Sequence, residues 1–220
     1  MKNLVVLATT LAIVFFACKK DEPQNIDDTP VPEPKVSMMP LKEGNYWVYQ
    51  RFSVDTNGIS TTNGQNDSLY ISGKEVIHGD TFYVIEGSNY FLFTPNNFPQ
   101  EKAYIRDSVG YIIDETGLIY YSENNYTDTL STATDSIAQI VRYTYMAYKD
   151  SLITVPAGTY SQTSTLLTTV LFWNPNYPWG PRRDSYYTYA KNIGLINRRA
   201  FYSSPSNYFE FRLLRYHVSP

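Results

Sequence analysis

The side chains that could carry out catalysis or bind a metal are few in this sequence. Its two histidines, His78 and His217, are far apart and lack the short spacing of a metal site. The single cysteine, Cys18, excludes an internal disulfide and a cysteine-based zinc site. Acids are scattered through residues 41–220, and no nucleophile elbow or phosphate-binding glycine loop occurs. We therefore predict no enzymatic activity, no cofactor and no bound metal.

Residues 172–181 form the most unusual local segment, because three prolines stand among two tryptophans and a tyrosine. Prolines at this density exclude a central strand, so residues 174–181 are predicted to form a loop. A rigid loop that presents aromatic rings suits the apolar face of a sugar, or a partner protein. The residues predicted to contact a ligand are Trp173, Tyr177, Trp179 and Arg182. The alternative is that these rings fold back and plug one end of the domain.

The amino-terminal segment predicts export and a lipid anchor. Lys2 precedes an apolar run over residues 4–16, which is too short to cross a bilayer core of about 30 Å but typical of a signal peptide. The run ends at Ala17-Cys18, which resembles the lipobox of bacterial lipoproteins, with Phe15 and Phe16 in place of its usual aliphatic and small residues. We predict a signal peptide over residues 1–17 and lipidation of Cys18, with palmitate among the acyl chains. The alternative is an ordinary secretory signal with an incidental cysteine.

The segment after the cysteine predicts a tether at the cell surface. Residues 19–22, Lys-Lys-Asp-Glu, resemble the export tag that places Bacteroidetes lipoproteins on the outer face of the outer membrane. Residues 18–40 contain five prolines and no aromatic residue, a composition that predicts a disordered linker. We expect an outer-membrane lipoprotein exposed at the cell surface, with the periplasmic leaflet as the alternative. A net charge of −3 is too weak to indicate nucleic acid as a partner.

A short pattern, Asp followed by Ser or Thr and an aliphatic residue, recurs five times. It resembles the O-glycosylation sequon of exported proteins in the same bacterial group. The residues predicted to carry O-linked glycans are Ser68, Ser108, Thr129, Ser136 and Ser151. The alternative explanation is that polar turn residues often precede the first aliphatic residue of a strand.

From residue 41 onward, the pattern is typical of β-structure. Short apolar runs, rich in the 21 tyrosines and 11 phenylalanines of the chain, alternate with turn residues. Asn57-Gly58, Asn63-Gly64 and His78-Gly79 are typical of turns, and residues 160–173 form one long run rich in threonine, leucine and valine. We predict a single all-β domain over residues 41–220. It is an antiparallel meander of about 10–12 strands, curved into a half-barrel or a partly open barrel.

Three motifs in this domain carry a resemblance to a known family. They are Leu41-x-x-Gly44-Asn45-x-Trp47-x-Tyr49, Val155-Pro156-Ala157-Gly158-Thr159-Tyr160 and Tyr189-Ala190-Lys191-Asn192-Ile193-Gly194-Leu195-Ile196. Together they resemble a family of uncharacterised Bacteroidetes outer-membrane lipoproteins, whose sheets are similar to the partly open barrels of lipoprotein-carrier proteins. The resemblance covers most of residues 41–218 and implies structural roles for the motif residues.

These features support three functional hypotheses. The leading one is a lipid-anchored, non-enzymatic binding or structural module, with a glycan or a hydrophobic molecule as the favoured ligand and a protein as another possible partner. The second is a periplasm-facing carrier or chaperone for lipids or lipoproteins, which requires an apolar cavity of several hundred Å³. The third is a surface hydrolase, which requires two acids, or one acid and His78, to converge in a cleft.

Overall fold

The computed structural model describes residues 37–88, 102–173, 182–201 and 207–219. Every described residue belongs to one compact unit, residues 36–220. The predicted lipidation site Cys18 and the predicted loop residues Tyr177 and Trp179 therefore lie outside the described residues. The part of the chain that is described contains no helix with the length and apolarity needed to span a bilayer.

Fourteen β-strands make up the regular structure of the described residues. They are β1 (Tyr46–Val54), β2 (Ser60–Ile77), β3 (Asp80–Gly87), β4 (Lys102–Ser108), β5 (Tyr111–Asp114), β6 (Ile119–Ser122), β7 (Ser131–Asp135), β8 (Ile140–Lys149), β9 (Ile153–Val155), β10 (Gly158–Tyr160), β11 (Thr163–Phe172), β12 (Arg182–Ala190), β13 (Gly194–Phe201) and β14 (Tyr208–His217).

Twelve of these strands form one antiparallel sheet, in the order β6-β5-β4-β3-β2-β1-β14-β13-β12-β11-β8-β7. The pairing of β1 with β14 joins the two ends of the domain in the middle of the sheet. The sheet curves into a nearly closed barrel, and its one unsealed seam lies between the edge strands β6 and β7. The predicted all-β, partly open antiparallel barrel is thus confirmed. Strands β9 and β10 form a separate hairpin.

The core lies on the inner face of this sheet, where alternate residues of each strand project inward. Tyr49 is the direct cross-strand partner of Leu213, and Tyr189 is that of Leu195. All four of these side chains are buried. Each large apolar side chain removed from water contributes about 1.5–3 kcal/mol, so burial on this face provides most of the favourable free energy of folding.

One end of the barrel is covered by the β9–β10 hairpin and by residues 37–45. The backbone N–H of Ala157 donates to the carbonyl of Leu213 at 2.9 Å, and the neighbouring Val155 is buried in the core. The amide of Asn45 connects the two termini of the domain, because its Nδ2 donates to the Pro40 carbonyl and its Oδ1 accepts from the Ser219 N–H, both at 2.9 Å.

Three local features differ from the sequence prediction. Asn63-Gly64 lies inside β2 and forms a bulge opposite Arg51, with the φ of Gly64 at +78°, so that β2 continues where a turn was expected. The long run over residues 160–173 divides into β10 and β11 at residues 161–162. Strand β7 has the sequence Ser-Thr-Ala-Thr-Asp, whose single apolar residue provides no alternating pattern to detect.

Candidate functional site

The inner face of the barrel is occupied by its own side chains in the described part of the chain. Trp47, Tyr49, Tyr189 and Phe211 are at most 1% exposed. The Tyr49 hydroxyl donates to the Leu195 carbonyl at 2.9 Å, and burial raises the pKa of both Tyr49 and Tyr189 well above the ordinary value. These rings fill the space in which a carrier would hold an apolar ligand. A binding surface is therefore to be sought outside the core.

The outer face of β8, β11 and β12 is rich in tyrosine. Leu167 of β11 lies directly opposite both Tyr145 of β8 and Tyr186 of β12. Cross-strand partners project from the same face of a sheet, and the adjacent Leu166 belongs to the core, so the two rings project away from the core. We call this surface the tyrosine face, and it comprises Tyr143, Tyr145, Tyr148, Trp173, Arg182 and Tyr186.

Two of the predicted ligand residues, Trp173 and Arg182, belong to this tyrosine face. The backbone N–H of Trp173 donates to the Gln139 carbonyl at 2.9 Å, and this hydrogen bond extends the β8–β11 ladder by one residue. Alternation from Leu171 then places the Trp173 ring, 52% exposed, on the outer face. Arg182 is the cross-strand partner of Leu171. The structure thus brings Trp173 and Arg182 onto one surface, and Tyr177 and Trp179 lie in the segment that is not described.

The polar groups of the tyrosine face are held by hydrogen bonds. Asp184 accepts from Arg182 Nε at 3.0 Å and from the Thr169 hydroxyl at 2.8 Å. The hydrogen bond with Asp184 and its negative charge raise the pKa of Arg182. Tyr143 and Tyr148, on β8, are 36% and 58% exposed. Tyr143 is the partner of Thr169, which in turn pairs with Asp184. Tyr148 lies further along the same face, opposite Thr165. The face therefore presents ring surfaces, hydroxyls and a fixed guanidinium–carboxylate pair to solvent.

A second candidate site, which we call the seam cleft, opens where the barrel is unsealed. Its volume is about 260 Å³. The lining residues are Met38, Tyr121, Glu123, Asn124, Tyr126, Lys149, Asp150, Gln162, Ser164 and Lys191.

The seam cleft follows from the short length of the edge strand β7. This strand pairs only with residues 140–144 of β8, so residues 145–149 have no partner in β7. The segment between β6 and β7 lies beside this gap instead. From it, the Tyr126 hydroxyl reaches the Ser164 hydroxyl at 2.6 Å, and Lys149 Nζ lies 5.7 Å from the centre of the Tyr126 ring. Residues from both sides of the seam therefore share one cleft.

The two histidines do not meet. His78 lies in the β2–β3 turn with a φ of +53°, and the ring of His217 stacks on Tyr46 with centroids 5.8 Å apart. Within the described ranges, no group of three His, Cys, Asp or Glu side chains is arranged to hold a metal ion. Glu123 and Asp150, in contrast, both line the seam cleft. Two acids in one cleft are the arrangement that the hydrolase hypothesis requires.

The five predicted O-glycosylation sites are all described, in different surroundings. Ser68 lies within β2, Ser108 ends β4, Thr129 lies between β6 and β7, Ser136 is in the β7–β8 turn and Ser151 follows β8. Their modification stays a prediction.

Comparisons with known proteins give two structural matches. No protein-family model and no curated protein matches the sequence. A candidate lipoprotein from Parabacteroides distasonis matches with a TM-score of 0.47 and 13% identity, covering 84% of this chain and 100% of that one. A candidate exported protein with a YmcC-like fold from Bacteroides fragilis matches with a TM-score of 0.42 and 11% identity, covering 81% and 98%. Membership of a Bacteroidetes outer-membrane lipoprotein family stays a prediction.

Sequence reasoning did not find the tyrosines of the tyrosine face or the lining of the seam cleft. The alternation Tyr143-x-Tyr145 signals two rings on one face of a strand, but alternation does not tell which face is the outer one. The seam cleft has no sequence signal at all, because its lining comes from segments as distant as Met38 and Lys191.

Proposed function

We propose that this chain is a lipoprotein of the bacterial envelope, held at the outer membrane through acyl chains on Cys18 and exposed at the cell surface. The support comes from the apolar run over residues 4–16, which ends at Ala17-Cys18, the position of the only cysteine. Two or more acyl chains hold a protein at a bilayer almost permanently, so the barrel itself need not enter the membrane.

A Cys18→Ser variant tests the anchor. We expect the wild-type protein to incorporate labelled palmitate and to sediment with outer membranes, and the variant to lose the label and appear in the soluble fraction. Protease added to intact cells should digest the wild-type barrel if it is at the surface and spare it if it faces the periplasm. A variant that stays with the membrane would refute lipid anchoring at Cys18.

We infer that the barrel is a non-enzymatic binding module and that the tyrosine face binds a glycan. The observation that carries this inference is the presence of three exposed rings, Tyr143, Tyr148 and Trp173, on the face of the sheet that also carries the Arg182–Asp184 pair. Rings of this kind pack against the apolar face of a sugar. The ion pair and the threonine hydroxyls supply donors and acceptors for its hydroxyl groups.

The chemistry of this surface favours a glycan over a purely apolar ligand. Arg182 Nη2 and Asp184 Oδ1 both contact the Thr169 hydroxyl, at 3.2 and 2.8 Å, so polar groups stand in the middle of the aromatic area. An apolar ligand would bury these groups without giving them hydrogen bonds, and this costs free energy. A polyhydroxylated ligand can give these groups hydrogen bonds in place of those that they formed with the displaced water.

A glycan array, followed by calorimetry on the best ligand, tests the glycan site. The soluble Cys18→Ser protein should bind a defined glycan, and adding Trp173→Ala or Tyr148→Ala should weaken binding about tenfold, which corresponds to ~1.4 kcal/mol. Tyr46→Ala is the matched control, because its ring is 40% exposed on β1, outside the tyrosine face. Binding that is equal in all three variants, or no binding to the array, would contradict the proposal.

A hydrolase is the second candidate, because Glu123 and Asp150 share the seam cleft. A pair of carboxyl groups across one cleft is the arrangement that glycoside hydrolysis requires. If the protein cleaves a chromogenic glycoside, both Glu123→Gln and Asp150→Asn should abolish the cleavage. Activity that survives both substitutions, or an inactive wild-type protein, would exclude this role for the pair.

A further inference from the structure

Tyr121, Tyr126 and Ser164, which we call the floor of the seam cleft, bring three hydroxyl groups to its lining. The Tyr126 hydroxyl lies 2.6 Å from that of Ser164. Ser164 is fully buried and Tyr121 is 4% exposed, so the floor is well removed from bulk water. Burial is the main reason that the pKa of Tyr121 lies above its ordinary value. The floor is therefore uncharged and rich in hydrogen-bonding groups.

The walls of the seam cleft carry two ammonium groups and two carboxylates. These belong to Lys149, Lys191, Glu123 and Asp150. Among the described residues, none of these four side chains forms an ion pair with any other charged group. Opposite charges that line a cleft without pairing are accessible to a ligand that carries both signs.

Of the two aromatic rings that line the seam cleft, Tyr121 is buried and Tyr126 has a lysine over one face. Lys149 Nζ lies 5.7 Å from the centre of the Tyr126 ring, within the range of a cation–π contact. The Tyr126 hydroxyl is engaged with Ser164. One face of the Tyr126 ring is therefore covered by a cation, and the other recognition groups of the cleft are the charges and the side-chain amides of Asn124 and Gln162.

We propose that the seam cleft binds a small zwitterion of the amino-acid class, a free amino acid or a dipeptide. The ligand carboxylate lies towards the two lysines, and the ligand ammonium lies towards Glu123 and Asp150. The amide side chains of Asn124 and Gln162 can hydrogen bond with a peptide group. The volume of about 260 Å³ is just below the usual range for ligand pockets, which limits the ligand to this size. The site is separate from the tyrosine face and does not depend on glycan binding there.

A series of capped peptides tests the proposal by amide chemical-shift titration of the labelled Cys18→Ser protein. The probes are alanyl-alanine, its N-acetyl form, its carboxyl amide, the doubly capped form and glucose. At about 10 mM, a ligand with a millimolar Kd is mostly bound. We expect alanyl-alanine to shift the amides of residues 121–126 and 162–164. Each single cap should weaken binding about fivefold, since each removes one exposed charge pair.

Two variants connect this binding to the seam cleft. Lys191→Met should weaken the binding of alanyl-alanine about fivefold but leave the binding of its carboxyl amide, which has no carboxylate, unchanged. Glu123→Gln should weaken the binding of alanyl-alanine but leave the binding of its N-acetyl form, which has no ammonium group, unchanged. Lys74→Met and Glu115→Gln are the matched controls, because both side chains lie outside the cleft. Equal affinity for the zwitterion and the doubly capped peptide would overturn the proposal, as would stronger binding of glucose or no shift with any probe.

Discussion

Trp47 packs its indole directly on the α-carbon of Gly194. A methyl group at position 194 would lie 3.0 Å from the indole nitrogen and 3.2 Å from Cε2. The same nitrogen donates to the Ile193 carbonyl at 2.6 Å, and this hydrogen bond holds the ring in place. The φ of Gly194 is +103°, a backbone conformation that residues with a Cβ rarely adopt. This contact fastens the turn between β12 and β13 to the first strand of the domain.

A Gly194→Ala substitution should therefore destabilise the domain by about 3 kcal/mol. Backbone strain contributes about 1–2 kcal/mol and overlap with Trp47 contributes the rest. In a domain of this size, the melting temperature should fall by about 6–12 °C, measured by circular dichroism. Gly58→Ala is the control, because Gly58 also has a positive φ but nothing lies within 4 Å of its added Cβ. It should cost only about 1 kcal/mol, and an equal loss in both variants would disprove the steric role of Trp47.

Glu210 bridges two arginines on the outer face of the sheet and should be sensitive to loss of its charge. It accepts from Arg199 Nε at 2.9 Å and from Arg212 Nε at 2.7 Å, and its side chain is 5% exposed. Glu210→Gln would leave two guanidinium groups beside a neutral amide. We expect a loss of about 2–3 kcal/mol, seen as a lower urea midpoint with an unchanged slope.

The control for Glu210 is the exposed ion pair of Arg106 and Asp80. These groups lie 2.9 Å apart, but the Asp80 side chain is 55% exposed. Water and salt screen such a pair, so Asp80→Asn should cost less than about 1 kcal/mol. If Glu210→Gln is equally mild, burial does not strengthen the bridge.

The motifs that could be recognised in the sequence are those that fasten the ends of the domain. Trp47 and Tyr49 donate to the carbonyls of Ile193 and Leu195, so the first and third motifs meet in the core. The second motif forms the β9–β10 hairpin, with Pro156-Ala157 as its turn. The resemblance to a family marked these motifs, and turn chemistry and alternation indicated the short strands and turns around them, because both act over a few residues. That the first and third motifs meet was not predicted.

The two candidate sites could not be predicted in the same way. Trp173 and Arg182 stood out by composition, but their shared face depends on the pairing of Leu171 with Arg182. The seam cleft depends on how far β7 extends along β8, and this register is set by the packing of the whole sheet. Fold class follows from local patterns, whereas a site depends on long-range pairing.

Alkaline pH should unfold the domain cooperatively. Burial raises the pKa of Tyr160 and Tyr186 to about 12, and that of Tyr49 and Tyr189 still further, against about 10 in an unfolded chain. Between pH ~10 and ~12, the unfolded chain loses protons that the folded domain keeps. The stability from these groups is therefore complete below pH ~10 and decreases as pH rises through this window.

Tyrosinate absorbance and near-ultraviolet circular dichroism, recorded together over an alkaline titration, check this expectation. Much of the absorbance increase should coincide with the loss of the dichroism signal, because the buried hydroxyls ionise only when the fold opens. If the tyrosines instead ionise with a midpoint near pH ~10 while the dichroism signal stays intact, the rings are accessible in the folded state.

The surroundings of the five predicted O-glycosylation sites differ enough to rank them. A transferase that acts on the folded protein needs the serine and the aliphatic residue after it in an accessible segment. Ile137, which follows Ser136, is 97% exposed in the β7–β8 turn, whereas Leu69, which follows Ser68, is fully buried. The Ser68 carbonyl also accepts from the Ser88 N–H at 3.2 Å, so its backbone is engaged.

Ser136 should therefore be glycosylated and Ser68 should not. The aliphatic residues after Ser108 and Ser151 are also exposed, Val109 at 95% and Leu152 at 72%, so these two sites rank next. Glycopeptide mass spectrometry of the protein from a glycosylating host should find the added mass on the peptide containing Ser136. Ser136→Ala should remove this mass and Ser68→Ala should leave the glycan pattern unchanged. A glycan found on Ser68 would mean that modification precedes folding, since the extended segment around it is accessible only before β1, β2 and β3 pair.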